Sequence, residues 1–511
     1  MVPESTQLTA AIRSLPRDAH SDCLPLETVL WMSTRMWQEQ IDDYWVLFAP
    51  DMRGLPVVVS PSVITILDRF RTGATVNSVS QSASTSHALD RERVLAVAYF
   101  LFQRSFLRRE QDRPRYEARD ISNFKPESFS IWLHINNHCN LDCAYCFVDK
   151  SQVEMSDTVM DRTIDYLGET VNSRKIKNFT LKFAGGEPTL SIPRMERFHD
   201  KLQNTLASSS CTWYTSVLSN GTVMSDRLIR FLQRPRTGLS ISVDGYGPAG
   251  HDIHRVFKGD RRGSWSIIEK NIAKARQNGI VPYILATISQ ESSKTLPDLV
   301  RWIFGQGLKT RLSVVRQPES TEAYSAFRLT ATRRSIEEEY RELITTMNAA
   351  FEEAFQELEH DSYSIDLKNN GLNICELHFD SPSFASCCGI GLNHIVINEK
   401  GELASCPMTV HRDTVPMKPD ILASAQLTFA QHSPTDREHN QGKNCLDCKW
   451  FPVCVSGCPI NNLAVNGRPY SVSPLNPFYE YVIPRYIKFF ARKLHQSARN
   501  RGIQDFLVLE A

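Results

Sequence analysis

Between residues 130 and 315 the chain alternates short apolar runs with stretches whose apolar positions recur every three to four residues. The runs Ser130 to Ile135, Phe179 to Phe183, Trp213 to Leu218, Leu239 to Val243, Pro282 to Thr287 and Arg311 to Val315 read as strands. Between them Met160, Ile164, Leu167 and Val171 share one helical face, as do Met195, Phe198, Leu202 and Leu206. Repeated strand-helix units imply a parallel sheet with helices packed against it, so the predicted class is α/β.

Upstream, Tyr44 to Phe48 and Leu55 to Val59 read as strands leading into helices. Ser60 and Pro61 stand where an N-cap and a first helical residue belong, Val63, Ile66, Leu67 and Phe70 share a face, and Gly73 closes that helix. Asp90 opens another helix, with Val94, Val97, Ala98 and Leu101 facing a core. Arg108 to Asn123 is densely charged without apolar periodicity and reads as a linker. A long helix, roughly Ser335 to Leu358, carries Ile336, Tyr340, Leu343, Met347, Phe351 and Leu358 at helical spacing.

At 511 residues, 41% of them hydrophobic, the chain exceeds what one core serves, so several domains are expected. With 58 Lys plus Arg against 57 Asp plus Glu, no net field argues for nucleic acid or a membrane as partner. Met1 to Leu15 lacks the apolar core of a signal peptide, and the longest apolar run, Val94 to Phe102, is too short to span a bilayer. A cytoplasmic protein is expected. Without an export signal, clustered cysteines favour metal ligation over disulfides. Cys23 and Cys211 stand apart and read as ordinary buried thiols.

Cys139, Cys143 and Cys146 form CxxxCxxC. With 13 cysteines, composition alone would give this pattern in roughly one such chain in a hundred. Structural zinc prefers four closed ligands, and His138, adjacent to Cys139, is an awkward fourth. Gly185, Gly186, Glu187 and Pro188 follow a predicted strand roughly forty residues on. With this pair of motifs the chain resembles the radical S-adenosylmethionine (SAM) superfamily. The resemblance implies a partial (βα)6 TIM-type barrel whose ligands sit at the C-terminal strand ends. It also implies a [4Fe-4S] cluster on the three cysteines, with one iron open to chelate SAM. The GGE segment would bind the amino group of SAM. Phe147, Asn220, Ser242, Asp244 and Arg255 occupy positions that contact SAM in the family, although Asn-Gly and Asp-Gly also suit turns. No catalytic residue is assigned.

Cys445, Cys448, Cys454 and Cys458 form CxxCx5CxxxC, and Cys388, Gly401 and Cys406 form Cx12Gx4C. Together they resemble the SPASM extension of radical SAM peptide-modifying enzymes, which holds auxiliary [4Fe-4S] clusters. A zinc ribbon is the alternative for Cys445 to Cys458 alone. By the resemblance, Cys388, Cys406 and Cys458 bind one auxiliary cluster with Cys375 as fourth ligand, and Cys445, Cys448 and Cys454 bind another. The family's last cysteine is absent near Pro477 to Glu480, where Tyr479 stands. That leaves an open iron, a substitute such as Asp447, or poor occupancy. Cys387 is either a spare thiol or the alternative to Cys388.

The pattern over residues 44 to 107 resembles the RiPP recognition element, a winged-helix-like domain in which a leader peptide adds a strand to a small sheet. Predicted divisions are an N-terminal extension (1–40), this peptide-binding domain (41–110), a linker (111–124), the radical SAM core (125–330), a connecting helix (331–370), the SPASM domain (371–485) and a C-terminal helix and tail (486–511). The combination implies a maturase that installs a carbon-carbon or thioether crosslink in a ribosomal precursor peptide, with a flavodoxin or ferredoxin as electron donor. The alternatives are an anaerobic sulfatase-maturating enzyme, a peptide epimerase and a non-catalytic metal-binding adaptor. In sulfatase maturases an Asp follows the second SPASM cysteine; here Pro407 does.

Overall fold

A computed structural model describes residues 24 to 509, apart from 51–54, 87–90, 113–125, 317–335, 361–362, 364–370, 380–387, 390–392, 405, 413, 424–444, 468–470 and 502–507. Cys23, Cys387, Asp90 and most of the charged 108–123 stretch fall outside the described residues.

Seven short strands come first: β1 (Val29–Met32), β2 (Trp37–Ile41), β3 (Tyr44–Phe48), β4 (Val57–Val59), β5 (Ala74–Thr75), β6 (Leu107–Arg108) and then β7 (Ser128–Asn136), which opens the barrel. Next come β8 (Asn178–Gly185), β9 (Thr212–Ser219), β10 (Thr237–Ser242), β11 (Tyr283–Ile288) and β12 (Lys309–Val314). The C-terminal part adds β13 (Leu372–Ile374), β14 (His394–Ile397), β15 (Glu402–Ala404), β16 (Val415–Pro416) and β17 (Val508–Leu509).

The six predicted barrel strands are present as β7 to β12, consecutive neighbours and all parallel. The sheet does not stop there. β13 joins β12 and β14 joins β7, both in parallel, with β15 and β16 continuing antiparallel to give ten strands in the order β13-β12-β11-β10-β9-β8-β7-β14-β15-β16. Strands from the cysteine-rich C-terminal part therefore extend both edges of the barrel. They are only two to four residues long, too short for a periodicity argument.

Alternation along the barrel strands decides which face meets the helices. Phe179, Leu181 and Phe183 of β8 are buried in one core with Met160, Ile164 and Leu167 of the Asp157–Ser173 helix and Phe198 of the Ile192–Thr205 helix. Phe183 meets Phe198 at 5.8 Å and Phe231 at 6.2 Å, both edge-to-face. Ser156 caps the first of these helices by accepting from Val159 N.

The N-terminal unit is an antiparallel sheet ordered β17-β4-β3-β2, a second sheet β5-β1-β6, and three helices, Pro61–Asp68, Val76–Ser86 and Arg91–Gln103. β1 and β2 lie in a stretch that sequence left without a role, and β2 crosses the predicted division at residue 41. The Pro61 helix ends at Asp68, short of Gly73, whose φ of +83° serves the following turn. Ser60 occupies the N-cap but its hydroxyl bonds Ser62 Oγ at 2.7 Å. Val76–Ser86 was missed because its Ser-rich face gives little apolar signal.

The long Ile336–Glu359 helix packs on the Asn476–Asn500 helix through Phe351 and Phe478 (5.1 Å) and Phe355 and Phe489 (5.2 Å). Arg485 joins Glu352 and Glu359 across that seam at 2.8 and 2.6 Å. The N-terminal sheet docks on the same C-terminal layer through Phe48 on Phe379, Trp37 on Trp450, and the Lys488 to Glu39 ion pair. No helix of the described residues is long and apolar enough to cross a membrane. Phe183→Ala, which empties an aromatic-lined site between sheet and helices, is expected to cost about 3–5 kcal/mol, read as a lowered denaturation midpoint.

Candidate active site at the strand ends

The loop after β7 carries the CxxxCxxC cysteines, and β8 ends on Gly185 and runs into Gly186, Glu187 and Pro188. These two loops touch through backbone. A Cβ on Gly185, whose φ is +137°, would lie 2.0 Å from the Asn136 carbonyl oxygen, and one on Gly186 would lie 2.2 Å from that of His138. Gly186 N and Glu187 N donate to those same carbonyls at 3.0 and 2.8 Å. Only glycine fits such an approach.

Glu187 is almost fully buried and its carboxylate is fully engaged. Oε1 accepts from Thr189 N (3.0 Å), Thr189 Oγ1 (2.6 Å) and Ser219 Oγ (2.9 Å), and Oε2 accepts from Asn220 N (2.6 Å). Burial pushes this carboxyl above its ordinary range, against those hydrogen bonds. The structure thus gives the carboxylate a bracing role, tying the ends of β8 and β9. Pro188 starts a short 3-10 turn beyond it. Asn220 points back at the cysteine loop, its Nδ2 on Asn140 Oδ1 at 2.9 Å and 3.7 Å from Cys139 Sγ.

Asp244, beyond β10, is wholly buried. Its Oδ2 accepts from Tyr145 Oη and from Arg255 Nε (2.6 Å), and its Oδ1 accepts from Thr287 N (3.0 Å). Arg255 also places Nη1 3.9 Å from Cys143 Sγ and lies over the Tyr145 ring at 5.6 Å. Sequence reading treated Asp244 and Arg255 as separate ligand contacts. They form one ion pair, with Tyr145 inside the cysteine loop as the third member. Tyr145 was missed, since only the folded loop brings it to Asp244. Ser242 ends β10 and Phe147 is half-buried after Cys146.

Burial pushes Cys139 up to about 12, aided by the charge of Glu187, and Cys143 up to about 11 although Arg255 opposes the shift. Such thiols stay protonated until a metal replaces the proton. Among the described residues no group of three His, Cys, Asp or Glu is placed to hold a single metal ion. A cubane takes its thiolates on separate irons, so it does not need them converged on one point.

Two further cysteine groups lie in the C-terminal part. Cys458 feels the charges of Arg316, Glu376, Cys406 and Cys388, and Cys406 those of Cys388, Arg316 and Cys375. The four predicted cysteines of the first auxiliary group therefore share one neighbourhood. Cys454 feels Cys448 and Cys445 in the same way. Val455, Ser456 and Gly457, at φ of 46°, 64° and 72°, reverse the chain between Cys454 and Cys458, so adjacent cysteines enter different groups.

Tyr479 does not face the second group. Its hydroxyl donates to Glu376, next to Cys375, while Arg316 reaches Glu376 Oε1 at 2.5 Å and Cys375 Sγ at 2.9 Å. The neighbouring residue on the helix, Glu480, is the carboxylate whose charge reaches Cys448. Arg316 and Glu376 carried no motif in the sequence.

Residues 133–303 match the family model of the Radical SAM superfamily. The barrel is a radical SAM domain. That domain makes the protein an enzyme of radical SAM type with a [4Fe-4S] cluster and SAM as cofactors, and the cysteine-rich C-terminal part is suited to auxiliary clusters. It is 21% identical over 352 residues to a cysteine-type anaerobic sulfatase-maturating enzyme of Clostridium novyi, covering 64% of this chain and 86% of that one. It is 23% identical over 192 residues to the subtilosin biosynthesis protein AlbA of Bacillus subtilis, 37% of this chain and 39% of that one. Among solved structures, native anSMEcpe with bound AdoMet superposes with a TM-score of 0.53 at 19% identity, covering 70% of this chain and 98% of the other.

Gly185→Ala is expected to separate the two loops and to cut iron and sulfide incorporation at the first cluster, measured by metal analysis and by the 5′-deoxyadenosine yield, while the purified chain stays folded by circular dichroism.

Proposed function

We propose that this protein is a maturase that crosslinks a ribosomally made precursor peptide. Cys139, Cys143 and Cys146 hold the SAM-binding cluster; Cys375, Cys388, Cys406 and Cys458 hold one auxiliary cluster, and Cys445, Cys448 and Cys454 another. When bound, the cluster and SAM supply a 5′-deoxyadenosyl radical able to take hydrogen from an unactivated C–H bond.

The chain's own residues do the rest. The Gly185–Gly186 backbone and the Asn220 amide shape the strand-end pocket around the cysteine loop. Arg255, fixed on Asp244, sets a positive charge beside Cys143 and lowers the cost of a thiolate there. Arg316 likewise places its guanidinium 2.9 Å from Cys375 Sγ, where Glu376 and Tyr479 hold it in place.

The observation that carries the peptide reading is the pairing of β17 with β4. Val508 and Leu509 lie antiparallel to Val59 and Val58, and Val508 is buried in the core of the N-terminal unit among the residues of its helices. An extended segment thus already lies on the edge of that sheet, which is the mode by which a leader would be captured. We assign the β4 edge to the leader, which displaces the two-residue β17.

A sulfatase-maturating reaction is the second reading, because relatives of that kind align with some two thirds of the chain. Pro407, which opens a 3-10 turn directly after Cys406, offers no carboxylate for the base used there. The solved relative anSMEcpe is also described with bound peptide, so peptide access to this fold is common to both readings.

Incubating the reconstituted enzyme with SAM, reductant and a small peptide encoded beside its gene is expected to give a product two hydrogens lighter, with tandem mass spectra showing two residues joined. Conversion of a Cys or Ser to formylglycine instead would select the second reading. Cys143→Ala is expected to abolish 5′-deoxyadenosine formation. Deleting residues 502–511 is expected to tighten leader binding at least threefold by fluorescence anisotropy, and weaker or unchanged binding would remove the β4 assignment.

A further inference from the structure

We propose that Lys182 and Arg311, on the concave face of the barrel, bind a carboxylate of the substrate, so that the peptide segment entering the barrel bears an acidic side chain or a free C-terminus. This rests on the peptide-maturase reading above and names what that peptide must carry.

Strands β7 to β12 contain no Asp or Glu at all. Their helix-facing positions are the buried apolar ones, such as Phe183 and Leu312, so the alternate positions Lys182 on β8 and Arg311 on β12 face the interior of the barrel. Both are only half-buried, which leaves them open to a ligand. Among the described residues neither makes an ion pair, and Arg311 Nε is buried without a hydrogen-bond partner.

The two cations share one space. Arg311 adds to burial in pushing the Lys182 ammonium down to about 8, and both lower the His394 imidazole after burial has done so. His394 is itself fixed by Ser130 Oγ at 2.7 Å, on the opposite flank of the sheet. Arg311 also reaches Tyr283, which feels Cys375 of the first auxiliary group.

Among the described residues no acid pairs with either cation. Asp244 is held by Arg255, Tyr145 and Thr287 N, Glu376 by Arg316 and Tyr479, and Glu187 by four donors. Two like charges in a half-buried interior with no counter-ion oppose folding, and an apolar pair of similar volume would fit the strands as well. A carboxylate supplied by the substrate relieves both the repulsion and the orphaned Nε, and Arg311 offers it a paired contact.

The test uses the reconstituted full-length enzyme saturated with SAM. N-acetylglutamate N-methylamide presents a side-chain carboxylate, hippurate a terminal one, and N-acetylglutamine N-methylamide is the neutral control; binding is read by ligand-observed NMR. At least one carboxylate probe is expected to bind tenfold or more tightly than the control, and which one does so tells the side chain from the chain end. Lys182→Met and Arg311→Met should each weaken that probe tenfold or more without lowering the melting temperature. Equal affinity for the glutamate and glutamine probes together with no binding of hippurate, unchanged affinity in both variants, or carboxylate binding seen only when SAM is left out would each overturn the proposal. If carboxylate binding holds while no peptide is modified, the maturase reading fails and the site stands. If a peptide without any carboxylate is processed equally by wild type and both variants, the site fails and the maturase reading stands.

Discussion

The close approach of Gly185 and Gly186 to the carbonyls of Asn136 and His138 is the constraint on which the site depends. It locks the end of β8 onto the cysteine loop with two backbone hydrogen bonds, so the thiols are positioned by main chain and not by side-chain packing that could relax. Glu187 extends the lock to β9 through Ser219 and Asn220. Parallel strands deliver these loops to one end of the sheet, and glycine lets them touch there.

Around that lock the charges are arranged in closed sets. Each buried acid near a cysteine group has a basic or hydroxyl partner: Asp244 has Arg255 and Tyr145, and Glu376 has Arg316 and Tyr479. In both sets the arginine also reaches a cysteine sulfur, Cys143 in one and Cys375 in the other. An arginine held by a carboxylate keeps a fixed position, so its charge acts on the sulfur without the entropy cost of a free side chain. The two cysteine regions, far apart in sequence, thus solve one electrostatic problem in the same way.

The C-terminal part is tied into the rest at several levels. It lends β13 and β14 to the barrel sheet, packs a long helix on the Ile336–Glu359 helix, and returns β17 to the N-terminal unit. A change in what occupies the β4 edge is therefore connected through covalent chain and packed helices to the layer that carries the auxiliary cysteines.

Much of this was legible in the sequence. The six barrel strands and their helices announced themselves because burial on one face imposes a period of two or of 3.6 on residues adjacent in the chain. The cysteine and Gly-Gly-Glu motifs were readable because their spacing is local. Contacts made by short or distant segments left no such trace. Strands β13 and β14 are too brief to show a period, and each buried set closes on a pair about a hundred positions apart, Tyr145 with Asp244 and Glu376 with Tyr479. Sequence placed Tyr479 where a cysteine was missing, but helical geometry turned it to the other cysteine group and left Glu480 as the carboxylate whose charge reaches Cys448. The sequence by itself determined the elements and the metal chemistry, since both follow from neighbours along the chain. Which side chains neutralise one another, and that Lys182 and Arg311 turn inward with no ion-pair partner among the described residues, was decided only when the strands closed round a common interior.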